Sequence, residues 1–278
     1  MNIFFVCGAP KSGTTWLQRI LDAHPEVVCS GEGHFISRFS KPAAELINAY
    51  NRELTLEARL VYEDRPYYAG VGQDEFDELV RGFILRRLSQ RAGPQTRWMG
   101  DKTPAYFRQL NFLHRLFPAA KVIHIVRDPR DVAVSRMVFS RRAGVEEACT
   151  PGSEQHRKTI EGALKTWTEA VTAVDAFAAE HPGLTHELRY RDLYDDPIGE
   201  AERLFGFLGA PTPRIVMEQI VAATSFEALS GRKPGEEDPR SFLRKGLPGD
   251  WRTTLDAESA RLIAERCGEL MRSRRFAA

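Results

Sequence analysis

The hydrophobic pattern of this 278-residue chain changes period several times, and each change marks an element. Ile3 to Cys7 is a continuous apolar run of strand length, closed by the loop Gly8-Ala9-Pro10-Lys11-Ser12-Gly13. From Thr14 the spacing turns helical through Trp16, Leu17, Ile20 and Leu21. That helix should stop at His24, because a residue before proline is pushed out of the α region. Phe76, Leu79, Val80, Phe83, Ile84 and Leu88 keep helical spacing behind Asp74, the predicted N-cap, and Gly93-Pro94 ends the run. Lys121 to Val126 reads as a second strand entering a helix at Pro129. A long helix is expected from Ser153 to Glu180, a strand from Leu184 to Tyr190 and a helix from Ile198 to Leu208. Strands separated by helices predict an α/β fold with a mostly parallel central sheet flanked by helices, as a single domain over residues 1–278. The pattern is weakest over residues 35–73 and 143–158. The stretch Gly231 to Pro239, rich in glycine, proline and charge, reads as a mobile loop.

Composition narrows the partners. Lys plus Arg is 39 against 38 Asp plus Glu, a net charge of +1, so no global excess calls for nucleic acid or an anionic membrane surface, and any anion site must be local. Cys7, Cys29, Cys149 and Cys267 are scattered without C-x-x-C pairing, which disfavours a zinc ribbon or disulfide framework. No basic n-region precedes the first strand and no stretch of about 18 apolar residues occurs, so a soluble, cytoplasmic protein with no membrane span is expected. His24, His114, His124 and His156 lack partners at ligand spacing, so no metal site is predicted.

The first loop carries the sharpest chemical signal. In the ATP and GTP loop, G-x-x-x-x-G-K-[ST], the lysine follows the second glycine. Here Thr14 holds that place and Lys11 lies before Gly13. Backbone N–H groups and a helix N-terminus can still receive an anion, but the cation is aimed differently. The expected ligand is therefore something other than an ordinary triphosphate. Four further motifs follow in order: Arg127-Asp128-Pro129-Arg130 with Ser135 eight residues after Arg127, Tyr190 at a strand end, Thr224-Ser225-Phe226, and Arg244-Lys245-Gly246-Leu247-Pro248-Gly249-Asp250-Trp251.

Together these motifs resemble the cytosolic sulfotransferases that use 3′-phosphoadenosine 5′-phosphosulfate (PAPS), and they span residues 8 to 251. The resemblance implies a P-loop-like sulfotransferase fold in which Lys11, Ser12, Gly13, Thr14 and Thr15 surround the 5′-phosphosulfate. It implies further that Arg127, Ser135, Arg244, Lys245 and Gly246 grip the 3′-phosphate, and that Trp16, Tyr190 and the Thr224-Ser225-Phe226 string hold adenine. It carries over Lys11 and Lys102 as the cations beside the leaving phosphate; with several basic groups there and no aspartate after an apolar strand in Walker-B style, no metal requirement is expected. Pro104 stands where the cytosolic family has its catalytic histidine. The order Asp22-Ala23-His24-Pro25 to Ser30-Gly31-Glu32-Gly33-His34 is instead similar to tyrosylprotein and carbohydrate sulfotransferases, which implies Glu32 as base, with His34 as runner-up.

The implied activity is transfer of a sulfuryl group to a hydroxyl, less readily an amine, of a small-molecule or glycosylated acceptor. The acceptor is expected against residues 35–65 and 144–158, with Tyr50, Tyr62, Tyr67 and Tyr68 as a partly apolar wall. The rivals are a nucleotide or small-molecule kinase with a degenerate loop, and a non-catalytic nucleotide-binding protein. Residues 252–258 do not reproduce the family's dimer-forming pattern.

Overall fold

The computed structural model describes residues 1–276. In chain order the elements are β1 (Asn2–Cys7), α1 (Thr14–Asp22), β2 (Val27–Ser30), α2 (Lys41–Val61), α3 (Gln73–Leu88), β3 (Trp98–Lys102), α4 (Leu110–Leu116), β4 (Lys121–Val126) and α5 (Pro129–Arg142). They continue with α6 (Glu154–Glu180), β5 (Thr185–Arg189), α7 (Tyr190–Asp195), α8 (Pro197–Leu208), α9 (Arg214–Ala223), α10 (Phe226–Ser230), α11 (Trp251–Thr254) and α12 (Ala257–Ser273).

The five strands form one parallel sheet in the order β2-β3-β1-β4-β5. Central β1 is apolar throughout because both of its faces are covered. Ile3, Phe5 and Cys7 point into one core with residues of α3 to α6 and α12, while Phe4 and Val6 point into the other with α1, α8 and α9. Gly100 of β3 lies opposite Phe4, and a Cβ there would sit 2.3 Å from the Phe4 ring. Its lack of a side chain lets that aromatic cross the sheet face.

From β1 the chain runs outward to β2 and back to β3 on one side, then to β4 and β5 on the other. The strand order therefore reverses between β1 and β4. In open parallel sheets that switch point, beyond the carboxyl ends of the strands, is where a crevice opens. The loop of residues 8–13 and Arg127 leave β1 and β4 at this place.

Three expectations are corrected here. α3 starts two residues earlier than an Asp74 cap requires: Gly72 is the N-cap, and its N–H donates to the Glu75 carboxylate at 3.0 Å. Glu75 at the third helical position captures the capping N–H, so Asp74 falls inside the first turn, where its charge suits the helix dipole. The weakly patterned region 35–73 holds α2, a helix of 21 residues that buries only Ala58 and leaves Leu46 and Leu60 exposed. The expected mobile loop at 231–239 is laced to the basic segment after it: Gly235 N–H donates to the Lys245 carbonyl at 2.8 Å, and Asp238 N–H to that of Arg244 at 3.0 Å.

Candidate active site

A cavity of about 610 Å³ opens at the switch point, within the range of small-ligand sites. Its floor is the loop between β1 and α1. Gly13 has φ +100, and a Cβ there would meet the Tyr190 ring at 2.6 Å, so this turn requires glycine for its conformation and its packing. Lys11 also adopts a left-handed φ of 77, which turns its side chain over the cavity. Its ammonium lies 3.9 Å from the Phe139 ring centre, a cation–π contact. Burial, then the like charges of Arg142 and Arg136, push the Lys11 amine down to about 8 against the opposing pull of Glu32. Thr14 and Thr15 line the cavity, whereas the Ser12 side chain is turned away from it. The Ser12 hydroxyl is fully buried and has no hydrogen-bond partner.

The opposite wall is built from β4, α5 and the C-terminal basic loop. Arg127 leaves β4 with Nη2 donating to the Leu247 carbonyl at 3.1 Å and its guanidinium 4.4 Å from the Tyr190 ring centre. Its buried Nε is 3.6 Å from Asp131 but has no hydrogen-bond partner. Ser135 lines the same wall two turns into α5. Arg244 pairs with Glu237 at 2.7 Å and also with Asp250, which binds Lys245 through its other oxygen. Asp250 thus gathers two cations at the cavity rim. Asp131, 2% exposed, accepts N–H bonds from Gly249 at 2.7 Å and Trp251 at 3.1 Å, fastening the C-terminal loop onto α5. Gly246 has φ +68, and a Cβ there would strike the Phe226 ring at 2.3 Å.

Aromatic rings wall the space between these two ends. Trp16 donates its indole N–H to the Thr224 carbonyl at 2.9 Å and packs edge-on to Tyr190, 5.5 Å between centres. Thr224, Ser225 and Phe226 all line the cavity, but two of their hydroxyls are committed elsewhere. Thr224 Oγ1 donates to the Ile220 carbonyl at 2.7 Å, and Ser225 Oγ accepts from Ala228 N–H at 3.1 Å as the N-cap of α10. Phe226 therefore offers the one aromatic surface of this string to the cavity.

Beside the first loop, three consecutive residues of the β3 terminus hold three consecutive residues of the loop after β2. Asp101 Oδ2 accepts Gly33 N–H at 3.0 Å, Lys102 Nζ donates to Glu32 Oε1 at 2.7 Å, and Thr103 Oγ1 accepts His34 N–H at 3.4 Å. Glu32 Oε2 meets His34 Nε2 at 3.0 Å, and Lys102 Nζ also reaches Thr15 Oγ1 at 3.4 Å. Lys102 is 4% exposed and Glu32 41%, so the cation is sunk behind its partner while the carboxylate faces the cavity. Partial burial raises the Glu32 pKa, but the hydrogen bonds and charges of Lys102 and His34 outweigh it and hold the carboxyl below its ordinary range.

Comparison with known proteins fits this arrangement. Residues 4–214 match the sulfotransferase family. The chain belongs to that family. This sulfotransferase-family chain is 25% identical over 232 residues to protein-tyrosine sulfotransferase 1 of Danio rerio, covering 83% of the chain and 60% of the relative. It is 33% identical over 130 residues to protein-tyrosine sulfotransferase 1 of Homo sapiens, covering 47% and 32%. It is 27% identical over 278 residues to nodulation protein NoeE of Sinorhizobium fredii (strain NBRC 101917 / NGR234), covering 96% and 64%. The chain thus spans less than two thirds of the length of these curated relatives. Mouse sulfotransferase SULT7A1, solved in complex with PAP, shares the fold with a TM-score of 0.58 at 20% identity, covering 98% of this chain and 85% of that one. The sulfotransferase domain from the curacin biosynthetic pathway does so at 0.57 and 19%, covering 96% and 97%.

Most of the residues singled out in the sequence share one cavity. The exceptions are Ser12, turned into the protein, and Lys102, which acts on the wall through Glu32. Tyr50, Tyr62, Tyr67 and Tyr68 do not line it; Tyr67 is 78% exposed and Tyr68 73%. The sulfotransferase residues that sequence reading missed are the carboxylates Asp101, Asp131 and Asp250. Each stands inside a motif otherwise read for its cations, and that adjacency was the available signal.

Proposed function

We propose that this chain binds PAPS along the 610 Å³ cavity and transfers its sulfuryl group to an acceptor hydroxyl, with Glu32 as the base. The observation that carries the reading is the Glu32–Lys102 pair, set on the same cavity as the first loop and the Arg244-Lys245-Gly246 segment. The residues fit the cofactor. Arg127, which lines the cavity, has a buried Nε with no hydrogen-bond partner, and such a group is costly unless an anion or water completes it. The first loop offers N–H groups at a helix N-terminus. Arg127, Arg244 and Lys245 supply cations at the far end, and Trp16, Tyr190 and Phe226 supply flat surfaces between.

PAPS held by these residues would supply an activated sulfuryl group for the acceptor oxygen, with the bisphosphate as the leaving group. The chain does the rest. Glu32, held ionised, takes the hydroxyl proton, since an alcohol or phenol is a poor nucleophile while protonated. Lys11 opposes the charge that grows on the leaving phosphate, and Lys102 adds to this opposition from behind the wall, through Glu32 and Thr15. His34, on the other Glu32 oxygen, orients the carboxylate and is the second proton site. The Danio rerio and Homo sapiens relatives are named as protein-tyrosine sulfotransferases, which supports a hydroxyl acceptor here. The family assignment leaves the kinase reading without support.

The test is transfer of labelled sulfate from PAPS, without divalent metal, to a panel of phenols, glycosides and a tyrosine peptide. At least one acceptor should be sulfated by the native chain, with turnover reduced about 100-fold or more in Glu32→Gln, the usual share of a general base. No transfer to any acceptor, or full turnover by Glu32→Gln, overturns the assignment.

A further inference from the structure

A second cavity, of about 470 Å³, abuts the first and shares Pro10 and Arg136 with it. It is a groove between two helices. α5 contributes Val132, Arg136 and Ser140, four residues apart on one face, and α6 contributes Gln155, Thr159, Gly162 and Thr166 along the facing stripe. Packed helices normally close such a seam with apolar side chains, but hydroxyls, an amide and a glycine keep this one open and polar.

Its charge is one-sided. Arg108, Arg136 and Lys158 line it, and no carboxylate does among the described residues. Arg108 and Lys158 are balanced by Glu169 at 2.6 Å and Glu154 at 2.7 Å. Arg136, at the junction of the two cavities, forms no ion pair among the described residues, and its guanidinium rests 5.8 Å from the Phe139 ring centre. It lies close enough to Lys11 to help depress that amine. The cations at this end thus exceed the counter-charge that the protein provides.

We propose that the groove is the distal acceptor subsite and takes an acidic saccharide. A sugar hydroxyl reaches Glu32 in the first cavity, the carboxylate pairs with Arg136 at the junction, and the remaining hydroxyls meet Gln155 and Thr159, while Thr166 Oγ1, which donates to the Gly162 carbonyl at 2.9 Å, can still accept one. This rests on the sulfotransferase reading. A guanidinium receives a carboxylate in a two-pronged contact, and polar walls suit a ligand that brings many hydroxyls. The placement also gives the segment 143–158 part of the role expected for it, through Gln155 and Lys158.

The experiment is calorimetric titration of the PAP-saturated protein with methyl β-D-glucuronide and methyl β-D-glucoside. The glucuronide should bind about tenfold or more tightly than the glucoside, the scale of one charge-assisted contact. Arg136→Ala should bring the two affinities within about twofold, and Arg136→Lys should keep part of the preference. Gly162→Leu should fill the groove and abolish glucuronide binding with PAP affinity intact. Its new Cβ meets nothing within 4 Å and leucine favours a helix over glycine, and circular dichroism checks that the variant is folded. Equal affinities in the native protein, no sugar binding, a preference that survives both Arg136→Ala and Gly162→Leu, or a glucuronide that displaces PAP would each overturn the subsite. So would a tyrosine peptide binding where the glucuronide does not. PAP failing to bind the native protein would instead refute the underlying sulfotransferase reading.

Discussion

Glu32 is gripped through both oxygens, by Lys102 on one and His34 on the other, and this sets how its chemistry depends on pH. Burial pulls its carboxyl upward and the two neighbours pull it down by more, so the base form persists below the ordinary carboxylate range. The acid limb of kcat/KM should therefore lie lower than a free glutamate would place it, and moving that limb upward is the expected result of His34→Ala. A pH–rate profile of the two proteins reads this directly. Lys11 acts in the opposite sense. Its amine is lowered to about 8, so the free protein loses that cation as pH rises through 8, and PAP affinity should fall above it. Calorimetry between pH 7 and pH 9 should show this decline in the native protein and a flat response in Lys11→Ala. The identities of both residues were legible in the sequence. Their partners were not, because Lys102 and Glu32 are 70 positions apart and only the β2–β3 pairing brings them together.

At the scale of elements, the end of β3 is a template for the loop after β2. Asp101 accepts from Gly33 N–H, from Tyr106 Oη at 2.6 Å and from Thr103 Oγ1 at 2.8 Å, with no solvent exposure. Asp101→Asn would leave Gly33 N–H facing an amide NH₂, freeing the loop that carries Glu32. Turnover should fall about tenfold or more with PAP affinity retained, the scale of a mispositioned catalytic group. Steady-state kinetics beside PAP titration separate the two effects. Burial raises the Asp101 carboxyl from 3.8 to about 6, so the folded protein holds this proton more tightly than the unfolded chain. The contribution to stability is present below pH 3.8 and is lost as pH rises through about 6, on the order of 3 kcal/mol across that window. Denaturation at a series of pH values should show this slope in the native protein and not in Asp101→Asn. β3 itself escaped the hydropathy reading because Asp101 and Lys102, both charged, are as buried as its apolar residues. α2 was missed although Ala43, Ile47, Tyr50, Leu54 and Ala58 recur at helical spacing; it buries only Ala58 of that stripe.

Over the whole molecule, the strand order and the site explain one another. The reversal between β1 and β4 places the first loop and Arg127 side by side, and Asp131 then draws the segment 249–251 across from more than a hundred residues away. Motifs at the two ends of the chain thus enclose one cavity. Their order and residue types could be read from the sequence, as could a parallel sheet, from the largely apolar runs of β1 and β4 between helices. The enclosure could not, because it depends on buried carboxylates holding loops that carry no hydrophobic pattern. The most direct test of that enclosure is calorimetric titration with PAP in the absence of divalent metal, on the native chain and on Arg127→Ala and Lys245→Ala. The account predicts one micromolar site per chain, weakened about tenfold or more by each substitution, as loss of a charge-assisted phosphate contact requires. Absence of binding, affinity unchanged in both variants, or binding of ATP alone and only with magnesium would contradict it.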